Sequence, residues 1–154
     1  MDDPSVDLFK VAEVEIVYKN KVKNSLRPII TCSSSSVEIF RKHWNPGKIN
    51  HVEEFKVLLL NRANRVLGIY HVSSGGCTGT VADPRNILQA ALLANATGVI
   101  LSHNHPSGNL KPSRADEELT IKIKQAATFL DIKVLDHIIL TSEEFFSFAD
   151  EGIL

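Results

Sequence analysis

Cysteine is scarce in this sequence: its 154 residues include two, Cys32 and Cys77. The two lie far apart and form no Cys-x-x-Cys pair, so the sequence offers neither a disulfide framework nor a thiolate zinc knuckle. We expect both to be reduced thiols. A chain of this length buries about 68–70% of the surface that its unfolded form exposes, so it can fold as one domain without a metal or a disulfide.

Long apolar runs and a strong excess of one charge are also missing. The sequence begins with MDDPSVDLFK, which is unlike a secretory signal, and no apolar run reaches the length of a membrane-spanning helix. We therefore expect a cytoplasmic protein. The net charge is −1, which gives no electrostatic footprint for nucleic acid, and the basic residues between 19 and 27 are more typical of a solvated loop.

The first half of the chain predicts strands and one short helix. Alternation in VAEVEIVYKN predicts a half-buried strand at 11–20, and SSSSVEIFRKHWNPG predicts an amphipathic helix that stops at 45–47. We expect these elements to form an N-terminal part, residues 1–47, that packs on a main domain at 48–154. The stretch EEFKVLLLNRANRVLGIYHV predicts a hairpin, and the SSGG run at 73–76 predicts a loop at the end of its second strand.

The second half alternates helices and strands. Asp83 followed by Pro84 predicts a capped helix that lasts to about Asn95, and GVILSHNH predicts a buried strand after it. Ser113 can cap a helix that lasts to about Leu130, IKVLDHIIL predicts another buried strand, and the C-terminus predicts a polar and aromatic tail. Interleaved strands and helices predict a mixed sheet covered by helices.

The stretch LSHNHPSGNLKPSRAD, residues 101–116, carries the main chemical feature. Residues two apart on a strand point to the same face, so His103 and His105 project side by side while Asn104 points away. Imidazole nitrogen is a usual neutral ligand of zinc, and catalytic zinc sites take three protein ligands and leave a fourth position for water. The two histidines therefore predict a metal site whose third ligand comes from elsewhere.

Asp116 is the candidate for the third ligand. Ser113 and Asp116 have the spacing of a capping box, and that structural interpretation is favoured when the pair is considered alone. Asp116 also shares the apolar stripe of its predicted helix with Leu119, Ile123, Ala126 and Leu130, so its carboxylate should face inward. An ionised acid that faces the core needs a compensating cation, and a metal on the two histidines would supply one.

The other histidines are expected to be structural. Lone histidines such as His43, His51 and His71 are more often surface or satisfied residues than metal ligands. His137 in LDHIIL is ambiguous, and a buried strand histidine bonded to a neighbour is the favoured interpretation.

The sequence resembles a known family of metal-dependent proteins. His103, His105, Ser113 and Asp116 match the His-x-His-x(7)-Ser-x-x-Asp signature of the JAMM (MPN-domain) metalloproteases at every position. More narrowly, HNHPSG, PSRAD, GTVADPRNIL and LDHIIL resemble the RadC family of prokaryotic JAMM proteins, from about Val52 onward. The resemblance implies an α/β fold in three α/β/α layers around a mixed sheet, as in cytidine deaminases. It also implies one zinc ion on the two histidines and Asp116, and an upstream glutamate as acid and base.

Two glutamates are candidates for the acid and base, Glu53 and Glu54. The family spacing places this residue two positions before the phenylalanine of the following strand, which selects Glu53. Strand alternation places Glu53 with Phe55 on one face and Glu54 with Lys56 on the other, so only one of the two acids can face the metal. From the residues alone, either could be a solvated acid at a strand end.

The resemblance implies hydrolysis of an amide or isopeptide bond by a zinc-activated water. Glu53 would carry the proton of the water to the leaving amine, and Ser113 would hydrogen-bond the water or the oxyanion. The expected partner is a peptide or protein substrate, whose identity the sequence does not specify. The oligomeric state is not specified either.

Three other functions compete with this hypothesis. A nucleobase deaminase would need H-x-E and P-C-x-x-C, which the sequence lacks. A zinc-binding scaffold module without turnover is the second alternative. The third is a DNA-associated repair or mobile-element factor, as the history of the RadC family suggests. Longer RadC relatives carry an N-terminal helix-hairpin-helix region, where this chain is predicted to have a strand and a short helix, and the near-neutral charge does not favour DNA.

Overall fold

A mixed sheet of five strands forms the centre of the computed structural model, which describes residues 10–75 and 81–154. The strands are β1 (Glu54–Leu60), β2 (Val66–Ser74), β3 (Gly98–Asn104), β4 (Lys133–Leu140) and β5 (Phe145–Ser147). Their order across the sheet is β2-β1-β3-β4-β5. β3 and β4 run parallel, and the other neighbouring pairs run antiparallel. The α/β class with a mixed sheet is as the sequence predicts.

Helices cover both faces of the sheet. They are α1 (Ser33–His43), α2 (Pro84–Leu93) and α3 (Arg114–Thr128), and a 3-10 turn at Asn24–Leu26 precedes them. On one face α1 packs with Leu58, Leu60, Ile100 and Ile138 around Phe40. On the other face Val57, Leu59, Val99 and Leu101 pack with residues of α2 and α3. Successive residues of β1 and β3 thus pack into the cores on opposite faces of the sheet, which gives the predicted α/β/α layers.

Local sequence explains where the main elements begin. The Asp83 carboxylate accepts a hydrogen bond from the backbone N–H of Arg85, and Pro84 takes the first helical position of α2, where no N–H is needed. All seven residues of β3 are buried, because it lies at the centre of the sheet with helices on both faces. This burial accounts for its nearly continuous apolar run and brings His103 into the core of the protein.

The prediction of a strand at 11–20 is wrong. The structure assigns no strand there, and the side chains of Val14 and Ile16 are 92% and 74% exposed. Alternation favours a strand only where a neighbouring strand supplies a ladder of hydrogen bonds, and no strand pairs with this segment. The hydroxyl of Tyr18 donates a hydrogen bond to the Leu67 carbonyl of β2 at 2.7 Å, which is a side-chain contact and not a ladder.

Three smaller predictions about the ends of helices and strands also differ from the structure. Ser73 and Ser74 belong to β2 and are not part of a loop. α3 ends at Thr128, so Leu130 lies beyond the helix and is 42% exposed instead of joining its buried stripe. The C-terminal segment contains the strand β5, which pairs with β4, where the sequence predicted only a tail.

Some predictions concern residues outside the described ranges. They include the start of the chain at 1–9, the end of the predicted SSGG loop at 76 and the thiol of Cys77. Cys32 is described and is an exposed free thiol. Among the described helices, none combines the length and the apolar composition that crossing a membrane would require.

Candidate metal centre

Two neighbouring elements bring the predicted ligands together. His103 lies near the end of β3, and the backbone N–H of His105 bonds to the Leu140 carbonyl at 2.9 Å, which extends the β3–β4 ladder beyond the last residue of β3. Asp116 lies in the first turn of α3, whose N-terminus follows the loop after His105. The three side chains offer ligand atoms that all lie within 4.8 Å of one another.

The distances among the three residues fit a tetrahedral zinc ion. The Nε2 atoms of His103 and His105 are 2.9 Å apart. Asp116 lies 3.3 Å from His103 Nε2 through Oδ1 and 3.6 Å from His105 Nε2 through Oδ2. Zinc bonds of about 2.0–2.2 Å separate tetrahedral ligand atoms by roughly 3.3–3.5 Å. Shifts of a few tenths of an ångström would therefore accommodate the ion.

Ser113 and Asp116 form the predicted capping box, and Asp116 also faces the histidines. Ser113 Oγ accepts from the backbone N–H of Asp116 at 3.1 Å, and Asp116 Oδ2 accepts from the backbone N–H of Ser113 at 2.7 Å. The two interpretations of Asp116 are therefore compatible. The cap holds the carboxylate in one orientation, which is what a preorganised ligand requires.

The charge of Asp116 suits a cation site. Burial by itself would raise the pKa of this carboxyl, but hydrogen bonds with His103 and His105 outweigh burial and hold the pKa well below its ordinary value. The hydrogen bond to Asp116 raises the pKa of His105 against the effect of burial, and the negative charge of Glu53 adds a smaller increase. The cluster therefore contains an ionised carboxylate that attracts positive charge.

The two candidate glutamates lie side by side where the first strand begins, Glu53 just before β1 and Glu54 as its first residue. The ring of Phe55 stacks on the ring of His103, with centroids 5.8 Å apart and planes at 1°, so Phe55 faces the metal cluster. Glu54 is buried and pairs with Lys56 at 3.7 Å, and Lys56 Nζ lies 5.0 Å from the centre of the Trp44 ring in the opposite core. Glu53 lies two residues before Phe55, and its charge contributes to the raised pKa of His105, so alternation would place it on the side of the cluster.

His137 and Thr120 form a layer behind the cluster that the sequence analysis did not connect to it. His137 Nε2 lies 2.8 Å from His103 Nδ1, and its other ring nitrogen lies 2.6 Å from Thr120 Oγ1. The side chain of His137 is fully buried, and burial lowers its pKa well below the ordinary value. The prediction of a buried strand histidine bonded to a neighbour is confirmed. In the sequence, Thr120 could have been found from its position one helical turn after Asp116, which places both residues on the same face of α3.

The remaining histidines do not join the cluster. His43 Nδ1 bonds to the Ile39 carbonyl on the surface of α1, and His51 is exposed. His71 lies on β2, where it contacts Ser74 Oγ at 2.9 Å and Lys56 Nζ at 3.2 Å. These positions agree with the structural roles expected from the sequence.

Asn104, the residue between the two histidines, points to the opposite face and holds the segment that carries Glu53. Its Oδ1 accepts from the backbone N–H of Glu54 at 2.7 Å, and its Nδ2 donates to the carbonyls of Ile49 and Val52 at 2.7 and 2.9 Å. The Asn104 side chain is fully buried, so water does not readily replace these bonds. Asn104 therefore holds the backbone at residues 49–54, which lead into β1, against the end of β3.

We expect Asn104→Ala to lower the free energy of unfolding by about 2–5 kcal/mol, because each buried polar group left without a partner costs roughly 1–3 kcal/mol. Urea denaturation measures this loss. Asn45→Ala is the matched control, since Asn45 also bonds backbone through its side-chain oxygen but is exposed to water. Equal small losses in both variants would contradict the role of Asn104 as a clamp.

Comparison with known proteins places the chain in a family. A family model described as the RadC-like JAB domain matches residues 30–153. A UPF0758 protein of Flavobacterium johnsoniae is 50% identical over 144 residues, which cover 93% of this chain and 62% of that protein. A UPF0758 protein of Nitrosococcus oceani is 47% identical over 102 residues, which cover 66% of this chain and 46% of that protein.

A third relative, UPF0758 protein YfjY of Escherichia coli K12, is 41% identical over 102 residues, which cover 66% of this chain and 64% of that protein. The chain thus spans between about half and two thirds of the length of the curated relatives it matches. The matched range 30–153 contains the five strands, the three helices and all three residues of the metal cluster. This chain therefore belongs to the RadC-like JAB domain family.

Proposed function

We propose that this protein is a zinc-dependent hydrolase of the JAMM type that cleaves a peptide or isopeptide bond. The observation that carries the proposal is the convergence of two histidine nitrogens and one ionised carboxylate at separations of 2.9–3.6 Å. Two neutral nitrogens and one anionic oxygen are a typical ligand set of catalytic zinc, which keeps its fourth position for water.

His103, His105 and Asp116 would hold the zinc. When bound, zinc supplies a Lewis acid that lowers the pKa of a coordinated water toward about 7. Burial favours this use of the site, because His103 is 1% exposed and the surrounding apolar groups keep the local dielectric low.

Glu53 is the proposed acid and base. Its carboxylate would accept a proton from the attacking water as the new carbon–oxygen bond forms. The same proton would then pass to the amine nitrogen as the carbon–nitrogen bond breaks. Two observations support this role: the charge of Glu53 contributes to the raised pKa of His105, and Glu53 lies two residues before the ring that stacks on His103.

Ser113 is the proposed group for the developing oxyanion. Its Oγ accepts the backbone N–H of Asp116, which leaves the hydroxyl hydrogen to donate outward from the N-terminus of α3. A hydroxyl and the positive end of a helix dipole both stabilise negative charge. The substrate would be an extended peptide or a protein with an isopeptide-linked side chain.

We expect the purified protein to bind about one zinc per chain, because the described residues provide one cluster with three suitable ligands. Elemental analysis after mild zinc loading and desalting measures the stoichiometry. A protein that retains no transition metal under these conditions would contradict the proposal. A zinc-loaded protein that cleaves nothing in a broad panel of peptides and isopeptides would favour the scaffold alternative instead.

A further inference from the structure

A chain of hydrogen bonds leads from the metal cluster into the protein core. It begins at His103 Nδ1, which lies 2.8 Å from His137 Nε2. It continues from His137 Nδ1 to Thr120 Oγ1 at 2.6 Å, and it ends where Thr120 Oγ1 donates to the Asp116 backbone carbonyl at 2.6 Å. His103, His137 and Thr120 are 1%, 0% and 3% exposed, so bulk water has little access to these hydrogen bonds.

The last bond sets the direction of the others. A threonine hydroxyl has one hydrogen, and in Thr120 this hydrogen is donated to the Asp116 carbonyl. The Thr120 oxygen must therefore accept from His137, which places the hydrogen of the His137 ring on Nδ1. His137 Nε2 is then an acceptor, and His103 must donate to it from Nδ1.

A His103 ring that donates from Nδ1 and binds a metal is neutral and has its lone pair on Nε2, whereas without a metal the same Nε2 hydrogen-bonds Asp116. That atom is the one that faces Asp116 and His105, at 3.3 and 2.9 Å. A neutral imidazole binds a metal through the nitrogen that carries no hydrogen. The His103 tautomer that these hydrogen bonds favour is therefore the one that a metal in the cluster requires. Hydrogen bonds to the second ring nitrogen are a general means of orienting metal-bound histidines.

We infer that Thr120 and His137 are positioning residues that hold His103 in its metal-binding tautomer, an inference that rests on the proposed metal site. The relay, defined as Thr120, His137 and His103, also connects the strand that carries His103 with the helix that carries Asp116. It starts on β3, crosses β4 and returns to α3 at Asp116, the residue that provides the anionic ligand. The orientations of His103 and Asp116 are thus coupled through buried groups.

The surroundings of His137 favour a fixed relay. Its ring stacks on Phe148, with centroids 4.7 Å apart, and lies 5.5 Å from the ring of Phe55. These rings offer no hydrogen bonds that could replace Thr120 or His103. A His137 ring that turned over would leave two buried polar groups without partners, which is costly in such a site.

Two threonine substitutions test the relay through metal affinity. Thr120→Val keeps the shape of the side chain but removes the acceptor for His137 Nδ1–H, so we expect zinc affinity to fall roughly 10–100-fold, as for the loss of other outer partners of zinc ligands. Thr120→Ser restores the hydroxyl and should restore most of the affinity. Competition with a chelator of known affinity measures each value.

Thr128→Val is the matched control. Thr128 lies on the same helix, and its Oγ1 donates to the carbonyl four residues earlier at 2.8 Å, as Thr120 does, but it is exposed and touches no histidine. Its substitution should leave zinc affinity unchanged. Equal affinities in Thr120→Val, Thr128→Val and the parent would overturn the relay while leaving the proposed zinc site intact.

A spectroscopic measurement on the unsubstituted protein tests the relay without any variant. Long-range ¹H–¹⁵N correlation spectra of the zinc-loaded protein report which ring nitrogen of each histidine carries hydrogen. We expect hydrogen on Nδ1 of both His103 and His137. Hydrogen on Nε2 of His137 would overturn the relay. Failure of the parent protein to bind zinc at all is a different outcome, which would contradict the proposed function and remove the basis of this inference.

Discussion

Glu53→Gln is expected to lower the rate of peptide or isopeptide cleavage by about 10²–10⁴-fold, the usual contribution of a positioned acid and base. Glutamine keeps the shape of the side chain and its ability to form hydrogen bonds, but it does not accept a proton from water. Because Glu53 is not among the proposed ligands, zinc content should stay at the parent value. The melting temperature should change little. Rates on a substrate found in the peptide and isopeptide panel measure the effect.

Glu54→Gln is the matched control for this prediction. Glu54 is the next residue along the chain, but it is 5% exposed and pairs with Lys56 on the face away from the metal cluster. Its substitution should weaken that contact and lower stability, with a cleavage rate near that of the parent. Loss of activity in Glu54→Gln together with full activity in Glu53→Gln would mean that the strand register assigned to the site is wrong. Full activity in both variants would exclude glutamate-assisted hydrolysis.

Asp116→Ala is expected to abolish stable zinc binding. It removes the only anionic ligand of the described cluster and leaves two neutral histidines, so the loss should exceed the roughly 10–100-fold effect of removing an outer partner. Elemental analysis after desalting and chelator competition give the zinc content and the affinity. Cleavage should disappear with the metal.

Ser113→Ala separates the role of Asp116 as a ligand from its role in the capping box. Ser113 takes part in the same box but offers no ligand to the cluster. This variant should lose about 1 kcal/mol of stability, as is typical for a lost helix cap, and it should retain zinc. Zinc loss from Ser113→Ala to the same degree as from Asp116→Ala would show that the box, and not the carboxylate as a ligand, controls the metal.

The main elements of the fold follow from local sequence. Asp83 with Pro84 predicts the start of α2, and Ser113 predicts the start of α3, because capping depends on groups within one helical turn. The pairing of His103 with His105 on one strand face is equally local, since it follows from the period of a strand. The sequence alone therefore determined the candidate ligands and the α/β class, and its resemblance to the JAMM and RadC families indicated the two positions at which the acid and base should be sought.

Tertiary structure decided the features that depend on distant partners. Residues 11–20 alternate as a strand would, but no strand pairs with them, because a strand exists only through hydrogen bonds to a neighbour whose position local sequence does not reveal. The short strand β5 shows the converse, since pairing with β4 creates a strand from a segment without a clear period. The contact of His103 with His137 joins residues 34 positions apart, and only the parallel packing of β3 on β4, with α3 above them, places His137 and Thr120 behind a metal ligand.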